Sequence, residues 1–150
     1  MNNQSQSHQA RQFVFYGLLL FLLGLIIGLI VPFFKNPRMG LSAHLEGVMN
    51  GMFLMILGII WERIQLSAKL LNTTYWLALY GTFANLVAII LAAATGEGKM
   101  LPIAGGKEGT GITEMIITGL LVTLALSMIA VCVLVLTGLY KHTTEKRATA

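Results

Sequence analysis

The sequence has little charge and almost no cysteine. It contains no Asp, a single Cys (Cys132), and only 11% charged residues among 150. Soluble domains carry about a quarter charged residues, so most of this surface is not built for water. One cysteine excludes an intrachain disulfide and a cysteine-based zinc or iron–sulfur site. The Lys and Arg residues are scattered over tails and loops, which excludes a basic face for nucleic acid.

Common catalytic motifs are also missing. There is no Walker-type phosphate loop, no nucleophile elbow and no HExxH pair. The glycines between residues 95 and 110 lie in no strand–helix unit, so they predict flexible turns and not a dinucleotide site. His8 and His142 fall in polar tails, which leaves His44 as the one histidine beside an apolar run. Two histidine ligands to one haem within a single chain are therefore not expected.

Apolar residues make up 56% of the chain and form four long runs. Each is long enough to cross a hydrocarbon core ~30 Å thick as a helix. The runs cover residues 13–34, 44–61, 74–94 and 112–140. We predict an all-α, integral-membrane four-helix bundle at residues 13–140. A disordered polar tail at residues 1–12 and a charged tail at residues 141–150 are expected to flank it.

Four spans place both termini on the same side of the membrane. Six flanking Lys or Arg residues lie on that side and four on the other. Short loops rich in Lys and Arg face the cytoplasm. We therefore predict a multi-pass protein of a bacterial-type inner membrane, with both termini in the cytoplasm.

The segment HLEGVMNGM at residues 44–52 places three polar side chains, those of His44, Glu46 and Asn50, within seven residues of an apolar span. Polar groups at membrane depth usually face a cavity or the protein interior. His44 either bonds a loop carbonyl at the interface or ligates a metal or haem through a neutral nitrogen. Gly47 and Gly51 share a bare helix face next to it. That face suits a flat macrocycle, which makes both glycines candidate cofactor-binding residues, and it equally suits close helix packing.

Glu46 and Asn50 lie four residues apart on the second span and share a face. An intramembrane carboxylate must be paired or protonated. Lys35 or Arg38 across the preceding loop is the predicted partner, and a catalytic proton shuttle is the alternative. Asn50 and Asn85 either bridge helices or orient a substrate as catalytic residues. They fall at similar depth in neighbouring spans, so we predict one shared polar pocket.

Glu114 lies just inside the fourth span, with Thr118 one turn later. It is interpreted as a capping or pairing residue at the interface, with catalytic proton transfer as the alternative. Cys132 is interpreted as a small packing residue at a helix contact.

The pattern His44-x5-Asn50-Gly51-Met52, followed by YGTFAN at residues 80–85, resembles the small four-helix membrane isomerases. These are the hydroxylaminobenzene mutases and the related styrene oxide isomerases. The likeness covers residues 13–140 in size, span number and motif position. The GxxAN pattern ending at Asn85 and the MLPIAG loop at residues 100–105 are more similar to the mutase branch.

The resemblance implies a membrane isomerase that moves a hydroxyl group within an aryl hydroxylamine. It implies that His44 is the proximal ligand of haem b and that Asn50 and Asn85 line the pocket. Ferric haem with an open position would act as a Lewis acid. Small hydrophobic aromatic substrates in the bilayer and a homo-oligomer, plausibly a trimer, are further implications. Epoxide isomerases have a tyrosine shortly after the equivalent of Asn85, where this chain has LVAI at residues 86–89. This departure disfavours the alternative, an aryl epoxide isomerase that yields an aldehyde.

A different class of function is a non-catalytic membrane subunit or a small transporter. A redox subunit would need two axial ligands, and His44 alone is placed to serve. A transporter would more often contain a helix broken at mid-span, and the third span contains only Gly81. Replacement of His44 separates the classes, because only the haem enzyme loses both pigment and turnover.

Overall fold

The computed structural model describes residues 3–109 and 111–148, most of which lie in four α-helices. The helices are α1 (Asn3–Ile30), α2 (Pro37–Ile60), α3 (Ala68–Thr95) and α4 (Ile112–Ala148). All four are long and apolar enough to cross a membrane. Within the described residues there is no strand, only an isolated bridge between Glu97 and Lys107. The predicted all-α, four-helix membrane architecture is confirmed.

The helix ends follow local signals in the sequence. Asn36 caps α2, where its side-chain oxygen accepts hydrogen bonds from the backbone N–H groups of Arg38 and Met39. Pro37 occupies the first helical turn, where its missing N–H leaves no unmet bond. Ser67 caps α3 in the same way, and Gly96 ends that helix with a φ of 76°. A left-handed residue at this position is the usual way to satisfy the last carbonyls of a helix.

The composition of residues 1–12 predicts disorder, but from Asn3 onward this segment forms the first turns of α1. Gln6 Nε2 donates to the carbonyl of Trp61 at 2.7 Å. Gln12 Oε1 accepts a hydrogen bond from the Tyr75 hydroxyl at 2.9 Å. The prediction of a disordered tail is wrong there, because the polar side chains satisfy groups on the other helices.

At the other end of the chain α4 continues to Ala148, past the end of the predicted span at residue 140. Four residues of the two predicted tails, 1, 2, 149 and 150, lie outside the described residues. The basic segment at residues 141–148 therefore continues α4 without a break.

An aromatic cluster lies at the end of the bundle that includes the start of α1. Phe13 is fully buried, with its ring 4.7 Å from that of Trp61 and 4.9 Å from that of Tyr75, measured between centroids. These rings join α1, the turn after α2, and α3. By contrast, only 17% of the most apolar window of α4 is buried. Most of α4 therefore faces lipid or another protein surface.

Glycines hold α1 and α2 in backbone contact. A Cβ on Gly47 would lie 2.6 Å from the Cα of Gly24, and a Cβ on Gly51 would lie 2.6 Å from the backbone nitrogen of Phe21. Both Gly47 and Gly51 are buried. In a membrane, where lipid tails are as apolar as side chains, such close approach is a main source of helix association.

We expect Gly51→Ala to lower the free energy of unfolding by about 1–3 kcal/mol, the usual effect of overpacking. The new Cβ would meet backbone atoms of α1, which cannot rotate away. Gly119→Ala is the matched control, since a Cβ added there would have nothing within 4 Å and alanine should favour α4 by up to about 1 kcal/mol. Thermal unfolding in detergent measures both. Equal melting temperatures for wild type and Gly51→Ala would contradict the packing.

Candidate active site

His44 lies two turns into α2 and faces α1. Its Nδ1 is 2.8 Å from the carbonyl oxygen of Gly24. A carbonyl can only accept a hydrogen bond, so Nδ1 is the donor, and in the neutral tautomer the lone pair lies on Nε2. The ring is partly exposed. The chain thus presents an imidazole of fixed orientation at the side of the α1–α2 pair.

This geometry bears on both hypotheses for His44, a hydrogen bond to a loop carbonyl and ligation of a metal or haem. The histidine does bond a carbonyl, but that carbonyl belongs to α1 and not to a loop. A hydrogen bond from the second ring nitrogen is also what orients most metal-ligating histidines. No group of three or more His, Cys, Asp or Glu that could hold a metal ion occurs in the described part of the chain. Within those residues His44 therefore does not belong to a cluster of protein metal ligands.

Gly28 makes room for the His44 ring. A Cβ on Gly28 would lie 2.7 Å from Nδ1 and 3.1 Å from Cε1 of His44. The sequence analysis did not identify this contact of Gly28. The signal was its spacing of four from Gly24, which places both on the face of α1 that meets α2.

We expect Gly28→Ala to displace the imidazole and to break its bond to Gly24. Outer partners of metal ligands typically contribute 10–100-fold to metal affinity, so hemin affinity should fall by about that factor. A hemin titration followed by absorbance measures this. Gly119→Ala serves again as the control, because it lies in open space on α4. Unchanged affinity in Gly28→Ala would show that the glycine does not position His44.

The predicted cofactor-binding role of Gly47 and Gly51 is not what the structure shows. Their bare face is covered by the backbone of α1, at distances that leave no space for a cofactor. Of the two interpretations of this glycine face, helix packing is the correct one. The helical period revealed the face but not the element that covers it.

Glu46, Asn50 and Asn85 meet between α2 and α3. The Nδ2 group of Asn85 donates to Glu46 Oε2 at 2.6 Å, and that of Asn50 donates to the same oxygen at 3.3 Å. Glu46 Oε1 takes part in neither bond. The prediction that the two carboxamides share one polar site is confirmed.

The predicted partner of Glu46 is wrong. The carboxylate forms no ion pair with Lys35 or Arg38 in the part of the chain that the structure describes. Asn50 lies one turn further along the same helix, and Asn85 faces it from α3. The side-chain amides of Asn50 and Asn85 therefore take the place of the expected cation as hydrogen-bond partners of Glu46.

His44 and Glu46 lie on different sides of α2. Two residues along a helix correspond to about 160° around its axis, so His44 faces α1 while Glu46 faces α3. The surface between them is open, with Leu45 48% and Met49 57% exposed. The residues that the sequence suggested as one site thus form two groups within a single chain, separated by an exposed apolar strip.

Glu114 has a separate role from the other acidic candidate. It is 4% exposed, and it accepts hydrogen bonds from the backbone N–H groups of Lys99 and Gly109 and from the Thr118 hydroxyl. These contacts tie the loop at residues 96–109 to the first turn of α4. They support the capping interpretation of Glu114, and the structure does not bring it to the carboxylate of Glu46.

Comparison with known proteins agrees with the motifs. The profile of the styrene oxide isomerase family matches residues 9–140. Hydroxylaminobenzene mutase HabB of Ectopseudomonas oleovorans is 48% identical over 132 residues, which cover 87% of this chain and 80% of the relative. Hydroxylaminobenzene mutase HabA of the same organism is 44% identical over 127 residues, covering 83% of this chain and 94% of the relative. No solved structure matches the chain significantly.

Proposed function

Because this chain belongs to the styrene oxide isomerase family, we propose that it is a membrane isomerase that converts hydroxylaminobenzene to 2-aminophenol. The observation that carries the proposal is the 44–48% identity to two hydroxylaminobenzene mutases over most of the chain. The resemblance inferred from the motifs is thereby confirmed. Both relatives bear the mutase name, and the tyrosine expected of an epoxide isomerase after Asn85 is missing. The mutase activity is favoured over the epoxide alternative on these two grounds.

The reaction is an isomerisation without net oxidation or reduction. The N–O bond of the aryl hydroxylamine breaks, and a C–O bond forms at the ortho carbon of the ring. The proton released from that carbon is balanced by the proton gained at nitrogen. A catalyst must therefore polarise oxygen, move one proton and keep water from the positively charged ring.

The cluster of Glu46, Asn50 and Asn85 supports the proton transfer and the positioning. Each Nδ2 group has two hydrogens and uses one on Glu46 Oε2, so each amide keeps a donor and an oxygen acceptor for substrate. Glu46 Oε1 is the atom that takes the ortho proton and returns one to nitrogen. The amide bonds to Oε2 hold this carboxylate in place.

His44 supports a haem b cofactor in this proposal. Its Nδ1 is bonded to Gly24, so Nε2 is the atom that would ligate the iron. When bound, ferric haem would supply a Lewis acid that polarises the hydroxylamine oxygen. The chain's contribution is the fixed ring orientation, which the backbone carbonyl of α1 provides.

The membrane setting fits the substrate. Four apolar helices make the chain a multi-pass membrane protein, and its exposed apolar surface faces lipid, in which a small aromatic molecule dissolves. We place it in a bacterial-type inner membrane with cytoplasmic termini. We also propose a homo-oligomer, a trimer, which would cover the open strip of α2 at Leu45 and Met49.

The test is turnover of hydroxylaminobenzene by the purified chain in lipid nanodiscs prepared in water enriched in oxygen-18. An intramolecular shift gives 2-aminophenol without the label, whereas capture of the ring cation by water gives labelled aminophenol. Styrene oxide is the parallel substrate, with phenylacetaldehyde as its product. Turnover of styrene oxide with no turnover of hydroxylaminobenzene would replace the proposal by the epoxide alternative.

A further inference from the structure

A basic cleft of about 480 Å³ lies where α1 ends, α2 begins and α3 ends. Lys35, Arg38 and Lys107 line it together with one carboxylate, Glu97, so three positive charges and one negative charge give a formal charge of +2. None of the three cations forms an ion pair within the described ranges. Like charges repel one another, so an anion in the cleft would relieve an unfavourable arrangement.

Hydrogen bonds fix the backbone that carries these cations. The side-chain amide of Asn36, between Lys35 and Arg38, donates to the carbonyls of Ala104 and Gly105 at 3.1 and 3.0 Å. The backbone N–H of Lys107 donates to the carbonyl of Gly96 at 3.1 Å. The cleft is therefore formed by anchored segments, and its cations do not depend on a free loop for their position.

Glu97 only partly offsets the positive charge of the cleft, because one carboxylate stands against three cations. Its Oε2 is buried without a hydrogen-bond partner. That oxygen lies next to Gly109, and a Cβ added to this glycine would be 2.7 Å from it. Glu97 therefore forms no ion pair with the cations through this oxygen.

A second cleft, of about 380 Å³, continues from Arg38 along apolar residues that include Leu101 and Ile103. Ile103 is 98% exposed, and Phe33 at the same end of the bundle is 87% exposed. Apolar side chains this exposed beside membrane spans are suited to contact with acyl chains. A charged cleft and an apolar cleft that share Arg38 match a molecule with an anionic head and an apolar tail.

We infer that the cleft lined by Lys35, Arg38 and Lys107 binds the phosphate headgroup of an anionic phospholipid, with an acyl chain along the second cleft. Arg and Lys side chains at the membrane surface recognise phosphate by charge-assisted hydrogen bonds. The inference is independent of the proposed isomerase activity, since the cations belong to neither of the two residue groups of the candidate active site.

The test is native mass spectrometry of the full chain with added phosphatidylglycerol or phosphatidylcholine. The variant is the triple substitution Lys35→Gln, Arg38→Gln and Lys107→Gln. Each cation near an anionic headgroup contributes a factor of about 5, so phosphatidylglycerol should bind about 100-fold more weakly. The matched control removes three exposed cations from the opposite end of the bundle. These are Arg11→Gln, Arg63→Gln and Lys69→Gln.

Phosphatidylcholine should bind wild type at least tenfold more weakly than phosphatidylglycerol. An equal loss of phosphatidylglycerol affinity in the control triple variant would overturn the inference, because cations at either end of the bundle would then contribute equally to lipid binding. Millimolar inorganic phosphate that displaces phosphatidylglycerol and raises the melting temperature equally would show a small-anion site instead. Circular dichroism verifies folding, and Arg38→Gln alone, with an expected loss of about fivefold, serves if the triple variant unfolds.

Discussion

His44→Ala is expected to yield a colourless protein whose kcat/KM for hydroxylaminobenzene is at least about 10²–10³-fold below wild type. The substitution removes the imidazole that the proposal makes the haem ligand, whose Nδ1 is held by the carbonyl of Gly24. Absorption spectra of wild type and variant, oxidised and reduced, measure the haem content. Turnover measured on the same samples links pigment to activity.

His8→Ala is the control for this experiment, since His8 is exposed near the start of α1. It should keep both the Soret band and the activity. Added imidazole should restore part of the spectrum of His44→Ala by occupying the space that the substitution leaves. A wild-type protein that stays colourless after addition of hemin would exclude the cofactor and return His44 to an acid–base or packing role.

Glu46→Gln is expected to lower kcat by about 10²–10⁴-fold, the usual contribution of general acid–base catalysis, while the haem spectrum stays unchanged. Glutamine keeps an oxygen that accepts from Asn85 and Asn50, so the cluster retains its shape but loses the group that exchanges a proton. Because His44 faces α1 and Glu46 faces α3, the two substitutions should separate cofactor binding from proton transfer.

Steady-state kinetics of Glu46→Gln in nanodiscs, with spectra before and after, measure both quantities. Glu62→Gln is the matched control, because that carboxylate is exposed in the turn after α2 at the opposite end of the bundle. A loss of pigment in Glu46→Gln equal to its loss of activity would assign Glu46 to cofactor binding. Unchanged kcat would leave the Glu46–Asn85 bond as an interhelical contact only.

Hydropathy was sufficient to predict the four spans, because a bilayer imposes one length and one polarity on all of them. It failed at residues 3–12, where the composition resembles a disordered segment. The side chains of Gln6 and Gln12 find partners on other helices, which no local pattern reveals. Helix ends that depend on tertiary hydrogen bonds are therefore beyond the reach of composition.

The candidate site was partly predictable for a similar reason. The depth of a residue in the membrane follows from its position in a span. The sequence could therefore predict that Asn50 and Asn85 lie at the same level of neighbouring helices. Which helix covers which face does not follow from one sequence. For that reason Gly47 and Gly51 were assigned to a cofactor although α1 covers them, and Glu46 was paired with a cation although amides surround it.

Gly24 links the packing of α1 on α2 to the orientation of the imidazole. Its Cα sits beneath Gly47, and its carbonyl oxygen receives His44 Nδ1. Removal or insertion of one residue in α1 before Gly24 leaves this pair intact, whereas the same change between Gly24 and Gly28 turns the second glycine by about 100° away from the ring. Length variation during divergence should therefore be rare in that single turn of helix.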